Sequence, residues 1–262
     1  VGWANYDYLL HTDPQVGTAV KNTLWMIAIA VPLQVLFAFG VALVLARARS
    51  GAGVFRTIFY LPALAPPVAA TLGFVFILNP ATGPVNVILD KLGIQGPLWF
   101  QDPTWSKPAL TLLALWGIGN TMVIFLAAVL DVPRPLYESA ELDGAGGFKR
   151  LIYVTLPSIS PVLLFAAVYG VIQGLQYFTQ AYVAAGVAAG QASQAADVTS
   201  VNLGYPKDST LFYPVLLYQH GFNDFQMGYA SAIAMVLLVV SFAVTLGIVL
   251  NSRRWVNAGA VR

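Results

Sequence analysis

Five stretches of this chain, about 22–46, 57–78, 108–130, 158–182 and 228–250, contain no Asp, Glu, Lys or Arg. Each reaches the roughly 20 apolar residues that a helix needs to cross a hydrocarbon core. Nothing else constrains the fold as much. In lipid every backbone N–H and C=O must be satisfied within the protein, which leaves helices or a closed barrel. The stretches are apolar on most faces rather than alternating, so they read as helices. Composition agrees, with 58% hydrophobic and 9% charged residues among 262, against roughly 25% charged in a soluble domain. The expectation is an all-α, polytopic helical bundle occupying residues 1–262 as a single transmembrane domain.

Basic residues set the orientation. Arg47, Arg49 and Arg56 occupy the first short loop, Arg134, Lys149 and Arg150 the segment at about 132–157, and Arg253, Arg254 and Arg262 the tail. The other side has only Lys21, Lys91, Lys107 and Lys207. By the positive-inside rule the arginine-bearing loops and the C-terminus face the cytoplasm. Five spans would then leave Val1 outside with no signal-peptide pattern, so a sixth, N-terminal span is expected to be missing. Two outer loops remain, about 79–107 and 183–227, and the low-complexity "VAAGVAAGQASQAAD" is expected to be mobile.

Several function classes drop out. The net charge of +2 is small and unclustered, unlike a nucleic-acid site. Without cysteine there are no disulfides or thiolate metal sites, and His11 and His220 lack ligand-spaced partners. No G-x-x-x-x-G-K-[ST] is present to cradle ATP phosphates, and no nucleophile elbow or zinc signature appears. The chain is expected to be non-catalytic.

Against this apolar background, "LYESAELDGAGGFKRLIYVTLP" (Leu136–Pro157) stands apart. Pro133 and Pro135 can open a helix, and Glu138 and Glu141 lie one turn apart on one face. "DGAGG" can end it through a left-handed glycine. A second short helix would follow, with Phe148, Leu151 and Ile152 as its apolar stripe. Ser139 and Ala140 permit close approach of another backbone, while Glu138 and Asp143 can meet basic groups. Such a pair of helices either docks into a groove on a cytoplasmic partner or lies passively at the interface.

The same residues resemble the EAA motif of ABC importer permeases, which reads Glu-Ala-Ala, three residues, Gly, nine residues, Ile-x-Leu-Pro. Glu138, Ser139, Ala140, Gly144, Val154, Leu156 and Pro157 occupy its positions, with Ser for Ala and Val for Ile as mild departures. "FRTIFYLP", "NPATGPVN", "MGYASA" and "VGWANY" are similar to stretches of the carbohydrate-uptake branch, the maltose and glycerol-3-phosphate-type permeases. A departure lies around "NLGYPKDST", where the family's usual Gly-Gly-Pro is absent. The resemblance implies the type I ABC importer permease fold in a bacterial inner membrane. It implies a coupling segment made of Glu138, Ser139, Ala140, Glu141, Asp143, Gly144 and Pro157. The partners it implies are a second related permease, a pair of ATP-hydrolysing subunits that hold ATP and Mg, and an extracytoplasmic solute-binding protein. The substrate it implies is a carbohydrate of di- or oligosaccharide size.

Polar residues inside spans are costly unless paired or wetted. Gln173, Gln176, Tyr177 and Gln180 follow an i, i+3, i+4, i+7 spacing that predicts one helical face; Gln34 and Asn120 lie mid-span. These amides either line a pathway for an uncharged, hydroxylated solute or bond between packed helices. The aromatics Trp99, Phe100, Trp105, Tyr205, Phe212, Tyr213 and Tyr218 read as an interfacial belt, a sugar-stacking surface or a contact for the binding protein. A self-sufficient secondary carrier or channel is the rival reading, which would need an inverted repeat and a buried ion site.

Overall fold

The computed structural model of the chain describes residues 2–48, 51–192 and 203–252, and all regular structure among them is helical. After α1 (Ala4–His11), Asp13 caps α2, its carboxylate accepting from the Gln15 N–H at 2.9 Å, with Pro14 in the first turn. Helix α2 (Pro14–Arg47) starts well before the expected residue 22 and passes through a π-turn at Met26–Ala30.

Three expected spans prove to be bent pairs. Residues 57–78 form α3 (Ala52–Leu64) and α4 (Pro67–Ile77), because Pro66 withholds an N–H and Pro67 starts a new helix. A short α5 (Pro84–Lys91) precedes the second pair. Residues 108–130 fall into α6 (Pro103–Trp116) and α7 (Gly119–Asp131). Beyond α8 (Arg134–Leu142) come α9 (Gly147–Ser158) and α10 (Ser160–Leu175), bent by 72°. Then follow α11 (Thr179–Ala192), α12 (Tyr213–Tyr218) with a π-turn at Gln219–Asn223, and α13 (Met227–Ser252). Among the described residues two helices, α2 and α13, are long and apolar enough to cross a membrane alone, and up to five spans result if each bent pair counts as one.

The chain forms two compact units. The first comprises Val1–Ala30, Ala65–Ala114 and Gln173–Phe242. Here α11 packs on α4, burying Ala181, Ala184, Ala185 and Ala188. The low-complexity stretch expected to be mobile is therefore helical as far as Ala192, packed at Ala184, Ala185 and Ala188; its remainder lies outside the described residues. Alanine combines the highest helix propensity with the smallest side chain that can pack. Buried Asn22 ties this unit together, donating to the carbonyls of Asp208 (2.7 Å) and Leu211 (2.9 Å) while accepting from Lys107 Nζ (2.9 Å).

The expected outer loop 79–107 is likewise built, not open. Asn79 Oδ1 accepts from the N–H groups of Ala81 and Thr82. Asn86 donates to Pro80 and Pro97 carbonyls and accepts from Trp99 Nε1 at 2.7 Å. Trp99, Phe100, Phe212 and Tyr213 are buried in the unit's core or beneath it. They form neither belt nor stacking surface, since their rings serve packing that sequence position alone does not reveal.

The second unit comprises Val31–Leu64, Leu115–Ile172 and Ala243–Arg262. The latter half of α2 packs along α7, with Ala38, Phe39 and Ala42 facing Met122, Phe125 and Leu126 in one buried cluster. Small residues permit the close approaches usual in membranes. A Cβ on Gly119 would meet Phe59 O at 2.9 Å, and one on Gly170 would meet Val31 Cγ1 at 2.6 Å.

Candidate functional site

Helix α8 is exposed along most of its length and lies wholly in the second unit. Pro133 and Pro135 start it, and Ser139 Oγ bonds back to the Pro135 carbonyl at 2.7 Å. Its end is a Schellman cap: Gly144 N–H donates to Glu141 O (3.0 Å) and Ala145 N–H to Ala140 O (2.8 Å), with Gly144 at φ +75°. Two further contacts join α8 to α9. Tyr137 Oη and Thr155 Oγ1 are 2.9 Å apart, and Arg150 pairs with Glu141 at 3.3 Å. Thr155 is buried and sits at the end of the π-turn Leu151–Thr155.

Glu138, Ser139, Glu141, Asp143 and Gly144 are exposed, while Ala140 and Pro157 are half-buried. Pro157 lies inside the last turn of α9 rather than opening the following span, and Ser160 Oγ bonds its carbonyl at 2.8 Å across the bend. Sequence reading placed Phe148 on an apolar stripe but missed Leu142 and Tyr153, and all three are strongly exposed. Leu142 is 91%, Phe148 75% and Tyr153 76% exposed. The signal was available, as large apolar residues between the charges of a segment expected to leave the bilayer.

The predicted glutamine face is not formed. Helix α10 ends at Leu175, Gln176 lies in a turn, and Gln180 belongs to α11. The i, i+3, i+4, i+7 spacing fails because the helix stops, and no proline announces the stop. Gln173 and Gln176 are exposed, Gln180 is half-buried, and Tyr177 is buried against Phe212 (ring centroids 5.5 Å apart) with no partner for its hydroxyl. Gln34, half-buried, and Asn120, exposed at the start of α7, belong to the second unit.

A capped, exposed helix strutted to the membrane helix that follows it is the most distinctive element of the described chain. Over residues 34–257 the sequence matches the family described as "Binding-protein-dependent transport system inner membrane component". The chain belongs to this family. The permease is 35% identical to "Probable ABC transporter permease protein YesP" of Bacillus subtilis (strain 168), over 98% of this chain and 79% of that protein. It is 31% identical to "Arabinooligosaccharides transport system permease protein AraP" of the same organism, over 94% and 74%. The solved "bacterial ABC transporter involved in the import of the acidic polysaccharide alginate" shares its fold, with a TM-score of 0.83 at 24% identity over 97% of this chain and 84% of that one. The permease thus has the type I ABC importer permease fold and is a multi-pass inner-membrane protein, as the resemblance implied.

One cluster in the permease escaped sequence reading. His220, which has no metal-ligand-spaced partner in the sequence, stands between Asp13 (Nε2–Oδ2 3.2 Å) and Asp224 (Nδ1–Oδ2 2.9 Å), at ion-pair distance from both but aligned for a hydrogen bond with neither. Tyr229 donates to the same Asp13 oxygen at 2.7 Å. Among the described residues no group of three or more His, Cys, Asp or Glu side chains is arranged to hold a metal ion. Nearby, Tyr213 donates to Ile233 O at 3.3 Å, and burial pushes its phenol up to about 12, so it stays a neutral donor.

Proposed function

We propose that this permease imports a carbohydrate of di- or oligosaccharide size, received from an extracytoplasmic binding protein and driven by ATP that a separate subunit hydrolyses. The observation that carries the reading is the stiff, exposed α8–α9 segment. A helix meant to transmit displacement needs fixed geometry and an unpartnered face, and this one has both. Its orienting residues would be Glu138 and Asp143 toward basic groups, Ser139 and Ala140 at the closest contact, Glu141 through its strut to Arg150, Gly144 at the cap and Pro157 near the bend. Residues 1–262 then act as one transmembrane permease domain with the segment and the C-terminus in the cytoplasm.

The substrate class is supported by the sugar named for AraP and by spans without charge, which favour a neutral, hydroxylated solute. Gln173, Gln176, Tyr177, Gln180, Gln34 and Asn120 are the amides and phenol assigned to the pathway. Gln176, exposed, and Tyr177, buried, lie at a helix break, the kind of place where substrate sites in transporters are often built. ATP and Mg²⁺ would sit in the partner subunits, and a second related permease would complete the pathway. ATP binding would draw the ATPase pair together, move both coupling segments and open the pathway outward.

The test is Glu138→Arg in the complete importer. Expected are normal membrane insertion, loss of the ATPase subunits on gel filtration and loss of ATP-driven sugar uptake. Wild-type uptake with the ATPase retained would refute the coupling assignment. ATP-independent uptake by the permease alone would favour the secondary-carrier reading.

A further inference from the structure

In the second unit α2 and α3 leave a groove of about 840 Å³ between them. Its walls include Leu33, Phe37, Gly40 and Val44 of α2 and Phe55 and Phe59 of α3. No lining residue carries a charge. The volume falls in the range of roughly 300–1,000 Å³ that suits one small molecule. Gly40 is what keeps the floor open. A Cβ there would meet nothing within 4 Å, so the missing side chain is a gap in the wall and not a close helix contact.

The groove is asymmetric in charge. Its lining reaches Ala48 and Phe55 at one end, and the adjacent residues are Arg47 and Arg56. Both arginines are exposed, and among the described residues neither takes part in an ion pair. At the other end Leu33 and Leu115 carry no charge. A partner helix would match an apolar groove but would have no need of two cations at one end. An amphiphile with an anionic head and an apolar tail matches both, and basic pockets beside membrane helices are suited to such headgroups.

We propose that this groove is a specific site for an anionic phospholipid, with an acyl chain along α2 and α3 and the phosphate between Arg47 and Arg56. The apolar lining from Gly40 to Leu33 holds the tail, and the two guanidiniums select the head. This inference is independent of which sugar the permease carries.

The complete importer, delipidated in detergent, is titrated with phosphatidylglycerol or phosphatidylcholine and the first binding event read by native mass spectrometry. Phosphatidylglycerol is expected to bind about thirtyfold more tightly, from two arginines near an anionic headgroup. Arg47→Gln with Arg56→Gln should remove the preference and keep binding of both lipids. Gly40→Leu, which the open floor accommodates without displacing protein atoms, should remove the event for both. An unchanged preference in the double variant, or wild-type binding by Gly40→Leu, overturns the site. Failure of either lipid to bind the wild type would mean that protein fills the groove, which also overturns it.

Discussion

Gly144 allows backbone strain to be separated from steric fit. It sits at φ +75°, while Gly146 has φ −67° and ψ 170°, an ordinary extended conformation. A Cβ at Gly144, Gly146 or Gly147 would meet nothing within 4 Å, so bulk is not the issue at any of them. The left-handed conformation costs an ordinary L-residue about 1–2 kcal/mol, and Asn less. A β-branched residue is at the upper end. That energy lowers the ratio of capped to uncapped segment by a factor of about 5–30, and with it the fraction of permease ready to engage an ATPase subunit. ATP-driven uptake by the reconstituted importer should therefore fall in the order wild type, Gly144→Asn, Gly144→Val, with Gly146→Ala close to wild type. Equal losses for Gly144→Val and Gly146→Ala would show that the cap does not set activity and would refute the argument.

Two further substitutions probe the first unit. Asn22→Ala removes the donor to two buried carbonyls and the acceptor for Lys107; stranding those groups should cost about 2–4 kcal/mol, read as a lower thermal unfolding midpoint in detergent. Tyr177→Phe deletes a buried hydroxyl that has no partner, which should raise the unfolding midpoint slightly. If that hydroxyl meets sugar during transport, uptake falls at the same time.

Much of this architecture is legible in the sequence because lipid imposes a simple rule. Uncharged runs of sufficient length must be helical, and α13 (Met227–Ser252) lies within a few residues of the expected 228–250. The cap at Gly144 is also legible, since glycine after "AELD" has few other uses. The breaks are harder. Pro66 and Pro67 mark one, yet nothing so explicit marks the end of α10 at Leu175, and the predicted glutamine face fails there. Non-local partnerships are invisible for a different reason. Asp13 and His220, or Asn22 and Leu211, are brought together only by folding, so residues far apart in the chain look unpartnered until the packing is known. The alanine-rich α11 shows the opposite error, where low complexity suggested mobility and small side chains in fact permit the closest packing.

The exposed apolar residues of the segment yield a prediction about which contacts carry the coupling. Leu142 and Phe148 are 91% and 75% exposed, and fully burying such a side chain stabilises by about 1.5–3 kcal/mol. An exposed ion pair contributes only about 0–1 kcal/mol. If α8 and α9 dock against an ATPase subunit, the apolar side chains should therefore dominate the affinity, with the acids setting orientation. Truncation of the acid to Glu138→Ala is milder than the reversal Glu138→Arg, which adds repulsion. Leu142→Ala and Phe148→Ala should each weaken ATPase association about tenfold or more, measured by titrating the purified ATPase subunit onto the permease in detergent, while Glu138→Ala changes it by less. If the segment instead lies on the bilayer, the same two truncations would leave association intact and reduce membrane partitioning. An equal or larger loss for Glu138→Ala would mean that the acids drive docking and that Leu142 and Phe148 point away from the partner.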